Sequence, residues 1–275
     1  MAGALIFWAA AVQTGAQETS STGASPSPAA SSSATAAPAT ATVPVMPNVA
    51  APADVASVMH PTGEAHLRKI HDRFLQQIKN DNKIELLFIG DSITQGWSKA
   101  PEVWKQYYGK WDTANFGDGG DYTQHVLWRV ENGELDGIHP KVVVLLVGIN
   151  NLYHAIENYR GPGNNAAQVA AGIKKILDTI HEKLPETKVL LLGVFPFCRG
   201  KEAAGPRNAG AAVNAIIKNY DDGSKTRYLG IWNQFLQPDG KSASTDVLSD
   251  GLHPTPKGYQ IWAENMQPLL EEMMK

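Results

Sequence analysis

The 275 residues contain a single cysteine, Cys198, so no intramolecular disulfide can form. Its context, Phe195-Pro196-Phe197-Cys198, reads as a strand end followed by a turn. With no second cysteine nearby, a packed and inert thiol is expected. Charge of one sign is also missing. With 24 Lys and Arg against 27 Asp and Glu, the net charge is only -3. That gives no electrostatic reason to expect nucleic acid or an anionic membrane surface as a partner. Nor does any apolar run reach bilayer length. Ala2 to Val12 falls short of the roughly 20 residues a spanning helix needs.

That run does fit the h-region of a secretory signal, with Thr14-Gly15-Ala16 as a small-residue cleavage site. No Lys or Arg precedes it, so the basic n-region of such a signal is missing. From Gln17 to about Ala53 the chain is almost wholly Ser, Thr, Ala and Pro, which cannot bury enough apolar surface to offset its ordering entropy. The expected organisation is a signal peptide over 1–16, a flexible linker over 17–59 and one folded domain over 60–275. A signal-like run followed by such a stalk points to a secreted or periplasmic protein. Cytoplasmic residence is the alternative, because a chain without disulfides suits either compartment.

What is present is an ordinary globular balance, 43% hydrophobic and 19% charged, and a set of apolar runs that end abruptly. The most informative is Ile84 to Gly96. An apolar half, Ile84-Glu85-Leu86-Leu87-Phe88-Ile89, stops at Gly90 and gives way to Asp91-Ser92-Ile93-Thr94-Gln95-Gly96. A buried strand ending in Gly-Asp-Ser delivers a hydroxyl to the carboxyl edge of a sheet, where open α/β folds place their ligands.

Similar runs recur along the chain. Thr113 to Phe116 leads into Gly117-Asp118-Gly119-Gly120-Asp121, a turn whose glycines allow tight folding with N–H groups outward. A helix from Tyr122 follows at once, so this turn has the geometry of a small anion site, although its glycine spacing fits neither a dinucleotide nor a phosphate loop. Lys141 to Gly148 is the most strand-like stretch and ends in Ile149-Asn150-Asn151, which offers a neutral amide at the same edge. An Asx turn is the plain alternative for that Asn pair. Lys188 to Val194 and Tyr228 to Trp232 read as further strands. Helical spacing marks 64–78, 101–108, 166–184, 208–220 and 256–274. Strands alternating with helices, and no hairpin signals, predict a parallel sheet with helices on both faces.

Other polar residues have plainer roles. His60, His66 and His71 are expected on the solvated face of the first helix, since no carboxylate or Cys stands at a ligand spacing from them. His125 and His139 read as packing or capping groups, and His154 and His181 as surface groups. Asp91, Asp118 and Asp121 are expected to hold their own turns by local hydrogen bonds. Near the end, Asp250-Gly251-Leu252-His253-Pro254 sets a carboxylate three residues before an imidazole. One turn brings such residues side by side, so the carboxylate can accept from one ring nitrogen and leave the other as a base.

Taken together these blocks resemble the SGNH, or GDSL-type, esterase and lipase superfamily. The resembling segments are Gly90 to Thr94, Asn115 to Asp121, Gly148 to Asn151 and Asp250 to Pro254, all in the family's order. Ile93 stands where leucine often follows the nucleophile. The run from Asn115 to Arg129, continuing to Asn132-Gly133-Glu134-Leu135, is similar to the catalytic subunits of platelet-activating-factor acetylhydrolase Ib. The resemblance implies a three-layer α/β/α sandwich with a parallel, flavodoxin-like central sheet. It makes Ser92 the nucleophile, His253 the general base and acid, and Asp250 its orienting carboxylate. Its oxyanion donors are the N–H of Ser92, the N–H of Gly120 and the side-chain amide of Asn150. It implies acetyl-sized acyl groups, no metal or cofactor, and a homodimer on which nothing else in the sequence bears.

The resulting expectation is a serine esterase acting on short-chain acyl esters, acetyl foremost, of small molecules or carbohydrates. A lipid-directed acetylhydrolase or lysophospholipase is the alternative and would need an acyl-chain groove, for which Tyr153, Trp97 and Phe197 are candidates and core packing the competing role. A catalytically silent surface-binding module is the reading from another class. Its relatives would lose Ser92, His253 or an oxyanion donor, all of which are present.

Overall fold

The structure, a computed structural model, describes residues 52–152, 163–199 and 204–275. The proposed signal peptide, most of the linker, Tyr153 and His154 lie outside the described residues. The apolar runs form five parallel strands: β1 (Leu86–Gly90), β2 (Thr113–Gly117), β3 (Val142–Leu146), β4 (Lys188–Leu192) and β5 (Thr226–Leu229). They lie in the order β2-β1-β3-β4-β5. β1 and β3 are buried at every position, which is why both read as continuous runs rather than alternating ones. Their registers match along the full length, from Leu86 opposite Val142 to Gly90 opposite Leu146.

The helices are α1 (Glu64–Asn80), the short α2 (Ser92–Gln95), α3 (Pro101–Tyr108), α4 (Thr123–Glu131), α5 (Ala166–Lys183), α6 (Ala204–Ile217) and α7 (Pro256–Met273). α5 packs on both α4 and α6, while α3 packs on α7. Helices cover both sides of the sheet, giving the expected three-layer α/β/α sandwich. The chain leaves β1 toward β2 on one side and returns to β3 on the other. Between the ends of β1 and β3 lies the switch point where such sheets bind ligands.

Aromatic side chains fill the layer beneath α2. Trp97, expected either in a groove or in the core, packs within 5.5 Å, centroid to centroid, of Trp104, Tyr108, Tyr259 and Trp262. Phe197 is likewise buried. Gly90 is required where β1 ends, since a Cβ there would stand 2.1 Å from the Leu146 carbonyl oxygen and 2.3 Å from Thr94 Oγ1.

Several expectations need correction. Residues 52–59, assigned by composition to the linker, pack on α4: Ala53 is fully buried, its carbonyl accepts from Thr123 Oγ1, and the Ser57 N–H donates to the Gln124 carbonyl. The first-helix histidines are not a solvated set. His60 and His71 are buried and His66 half-buried, each against an acidic side chain far away in sequence. The predicted helix over 208–220 starts earlier, at Ala204, and ends in a 3₁₀ turn over Lys218–Tyr220; the last strand starts at Thr226.

Candidate active site

Ser92 opens α2 directly after β1. Asp91 caps that helix by accepting the Ile93 N–H at 2.9 Å, the local role expected of it. The capping fixes Ser92 in the first turn, pointing over the end of β1. Its Oγ lies 2.9 Å from Nε2 of His253, a contact between residues 161 apart in sequence. The second imidazole nitrogen, Nδ1, stands 2.9 Å from Asp250 Oδ2. Serine, imidazole and carboxylate thus form one continuous hydrogen-bonded chain.

The loop that carries His253 is fixed on several sides. The Asp250 Oδ1 atom accepts the N–H groups of His253 and Leu252 at 2.8 and 3.1 Å. Burial pulls the Asp250 carboxyl upward, but these two N–H groups and the imidazole outweigh it and hold its pKa at about 2. The carboxylate is therefore ionised wherever His253 could act as a base. Gly251 has φ +79° and presents its carbonyl to the Cys198 N–H at 2.7 Å. A Cβ at that position would stand 2.7 Å from the Arg199 nitrogen. Cys198 itself is partly buried, which pushes its thiol pKa up.

The glycine turn after β2 folds against α2. Asn115 donates to the Thr94 carbonyl at 2.8 Å and accepts the Gly117 N–H at 2.9 Å. A Cβ on Gly119 would lie 3.8 Å from that of Ser92. Gly120 takes φ +91°, a conformation that favours glycine. Among the described residues, neither the Ser92 N–H nor the Gly120 N–H has an intramolecular acceptor. The end of β3 closes the third side. Asn150, 9% exposed, donates one amide hydrogen to the Asp121 carbonyl at 2.9 Å. That bond orients the amide, and among the described residues its second hydrogen has no acceptor. The Asn151 Oδ1 atom accepts the Thr123 N–H at 3.0 Å, tying β3 to the start of α4.

Beneath the turn lies a group of charges that the sequence did not reveal. Arg129, wholly buried, donates to Asp121 Oδ2 through Nε and Nη2 at 3.0 and 2.7 Å and to Glu134 Oε2 at 2.5 Å. Glu134 also meets His71 Nδ1 at 3.1 Å. Asp118 contacts His66 Nε2 at 2.9 Å and Gln95 Nε2 at 3.3 Å. The expectation that Asp118 and Asp121 hold their turn locally is therefore incomplete. Their carboxylates reach across to α1, α2 and α4, and only tertiary structure brings those partners together. Burial pushes the Asp121 carboxyl upward, and the Arg129 guanidinium draws it back down. Burial also lowers the pKa of His60 to about 4, so that imidazole is neutral at neutral pH. His181, read as a surface group, is half-buried against Thr226 Oγ1 at 2.8 Å.

Alongside α2 and the edge of β2 runs a cavity of about 520 Å³, lined in part by Arg73, Gln77, Gln95, Trp104 and Asn115. Among the described residues no helix is long and apolar enough to cross a membrane.

Comparison with known proteins agrees with this architecture. Residues 88–261 match the model of the GDSL-like lipase/acylhydrolase family. The chain is 35% identical over 213 residues to platelet-activating factor acetylhydrolase IB subunit alpha1 of Bos taurus, covering 77% of this chain and 85% of that one. It is 37% identical over 206 residues to the alpha2 subunit of Rattus norvegicus, covering 74% and 82%. Among solved structures, a GDSL-like lipase from Bacteroides thetaiotaomicron superposes with a TM-score of 0.60 at 20% identity, covering 74% of this chain and 97% of that one. An acetylxylan esterase from Geobacillus stearothermophilus does so with a TM-score of 0.53 at 16% identity, covering 68% and 93%. The last two are likenesses of fold.

Proposed function

From the premise that the chain belongs to the GDSL-like lipase/acylhydrolase family and is a carboxylic ester hydrolase, we propose that it cleaves short-chain acyl esters, acetyl foremost, through an acyl-enzyme on Ser92. The observation that carries this reading is the unbroken chain from Ser92 Oγ through His253 to Asp250, with both links at 2.9 Å.

A serine hydroxyl is a weak nucleophile until a base takes its proton during attack. His253 Nε2 is within reach of that proton, and Asp250 fixes the ring with its other hydrogen on Nδ1. As Ser92 Oγ bonds to the acyl carbon, negative charge gathers on the former carbonyl oxygen. The Ser92 and Gly120 N–H groups and the free hydrogen of Asn150 are the donors assigned to that charge. His253 then passes its proton to the departing alcohol. Water, activated by the same imidazole, releases the acid and restores Ser92.

For the alcohol portion, small polar or carbohydrate esters are the first reading. The cavity beside α2 offers a guanidinium, three amides and an indole, the chemistry of sugar binding, but its lining includes neither Ser92 nor His253. A second reading is favoured by the curated relatives, named acetylhydrolases of platelet-activating factor; it is an acetyl ester on a lipid alcohol.

The test compares hydrolysis of p-nitrophenyl acetate, butyrate and octanoate by the native protein and Ser92→Ala. The proposal expects rates that fall with chain length and vanish in the variant. A preference for octanoate overturns the short-acyl assignment, and activity that survives Ser92→Ala overturns the nucleophile. Acetylated xylose against an acetylated lysolipid then separates the two alcohols.

A further inference from the structure

Three groups that ester cleavage does not use converge behind the Gly120 turn. His60 precedes α1, His66 lies in its first turn, and Asp118 belongs to the turn itself. One ring nitrogen of each histidine and one oxygen of Asp118 lie within 4.8 Å of one another. The Asp118 Oδ2 atom is 2.9 Å from His66 Nε2 and 3.9 Å from His60 Nε2. In a tetrahedral site with bonds of about 2.0–2.2 Å, ligand atoms stand roughly 3.3–3.6 Å apart, and the two distances bracket that spacing.

Among the described residues, two atoms in this cluster are buried without a hydrogen-bond partner: His60 Nε2 and Asp121 Oδ1, 3.5 Å apart on side chains with no exposure. The other heteroatoms of these residues are already committed. His60 Nδ1 meets Thr62 Oγ1 at 2.6 Å, Asp118 Oδ1 accepts from Gln95, and Asp121 Oδ2 accepts two bonds from Arg129. His60, Asp118 and Asp121 are thus held from behind and each leaves one atom facing the cluster, the arrangement of metal-site groups braced by an outer shell. His125 is outside this set. Its Nδ1 accepts the Tyr122 N–H, and its Nε2 faces the Met59 carbonyl.

We propose that His60, His66 and Asp118 bind a divalent transition-metal cation, Zn²⁺ best suiting two imidazoles and one carboxylate, with Asp121 Oδ1 accepting from the cation's water. Binding through Nε2 puts the His60 proton on Nδ1, from which it is donated to Thr62 Oγ1. The Thr62 N–H, 3.1 Å from Nδ1 here, belongs to an exposed residue and turns to water. His66, with its side chain 35% exposed, provides the entry path. The cation joins the segment before α1 to the turn that carries Gly120, so it stiffens one wall of the site without touching substrate.

The full chain, stripped with EDTA, is titrated with ZnCl₂ by calorimetry and melted with and without the metal. The expected result is one Zn²⁺ per chain, and a Tm raised by about 5–10 °C at a hundredfold excess over Kd. His66→Asn and Asp118→Asn should each weaken binding about tenfold or more. Their melting without metal reports whether they fold, and His66→Asn, at a half-exposed position, is the variant least able to disturb the core. Absence of heat and of a Tm rise overturns the proposal, as does unchanged affinity in both variants. Binding lost only in His253→Asn marks the cation as a ligand of the esterase dyad and overturns it too.

Discussion

The phenol of Tyr259 donates to the Ile93 carbonyl at 2.7 Å, a contact that ties α7, which follows His253, to α2, which begins at Ser92. One buried hydrogen bond thus couples the elements carrying Ser92 and His253, the proposed nucleophile and base. Tyr259→Phe leaves the Ile93 carbonyl without its donor. A net loss of about 1–3 kcal/mol in stability is expected. We also expect a lower kcat on p-nitrophenyl acetate with KM nearly unchanged, because the bond sets geometry rather than substrate contact. Steady-state kinetics beside urea unfolding checks both.

Asp250→Asn keeps a group of the same shape next to His253 but removes the charge that selects its tautomer. A fall in kcat of about 10³–10⁴ is expected, by analogy with other serine hydrolases. Native Asp250, held at about 2, stays ionised through the working range. It should therefore add no acid limb of its own above about pH 4 to the rate profile.

Asn150→Ala removes the side-chain donor assigned to the oxyanion and its bond to the Asp121 carbonyl. A drop in kcat of about 10²–10³ is expected, larger than any change in KM. A mainly KM effect would show that the amide binds ground-state substrate instead.

Asp91 is wholly buried, its Oδ2 without a partner among the described residues, and burial raises its pKa from 3.8 to about 7. The folded state therefore holds this proton more tightly than the unfolded chain. The group's contribution to stability is greatest below about pH 4 and declines as pH rises toward 7. Asp91→Asn retains the oxygen that caps α2 and cannot ionise. The difference in unfolding free energy between native protein and variant, measured in urea from pH 4 to 8, should shift in favour of the variant as pH rises.

Arg129 is the cation facing Asp121 and Glu134 in a dry setting. Arg129→Met strands those carboxylates, and a loss of about 3–5 kcal/mol is expected. Adding Asp121→Asn and Glu134→Gln to the same chain should recover much of it. Chemical denaturation of the single and triple variants decides the matter.

How much of this was legible in the sequence follows from the range of the interactions involved. β1 and β3 announce themselves because strands covered on both faces have no polar positions to interrupt them. The stops at Gly90, Gly117 and Gly148 and the Asp250–His253 spacing are local, so the blocks around the serine–imidazole pair could be read directly. Composition misplaces the linker boundary because Ala53 and Ser57 are small residues held by tertiary contacts to α4. The histidines of 60–71 were assigned to solvent for the same reason. Their partners, Asp118, Asp121 and Glu134, stand at least 50 residues away, as the 52-residue separation of His66 and Asp118 illustrates. Spacing cannot report a contact made across a sheet edge.

The separation of 161 residues between Ser92 and His253 has a kinetic meaning. Ser92, the proposed nucleophile, opens α2 after the first strand, and His253, the proposed base, lies in the loop before α7, so the two meet only once α7 has docked on the sheet. Partly folded chains are therefore expected to be silent toward esters, which activity assays during refolding would check. Recovery of hydrolysis during refolding is a clock for the final docking event, slower than any signal from the strands themselves.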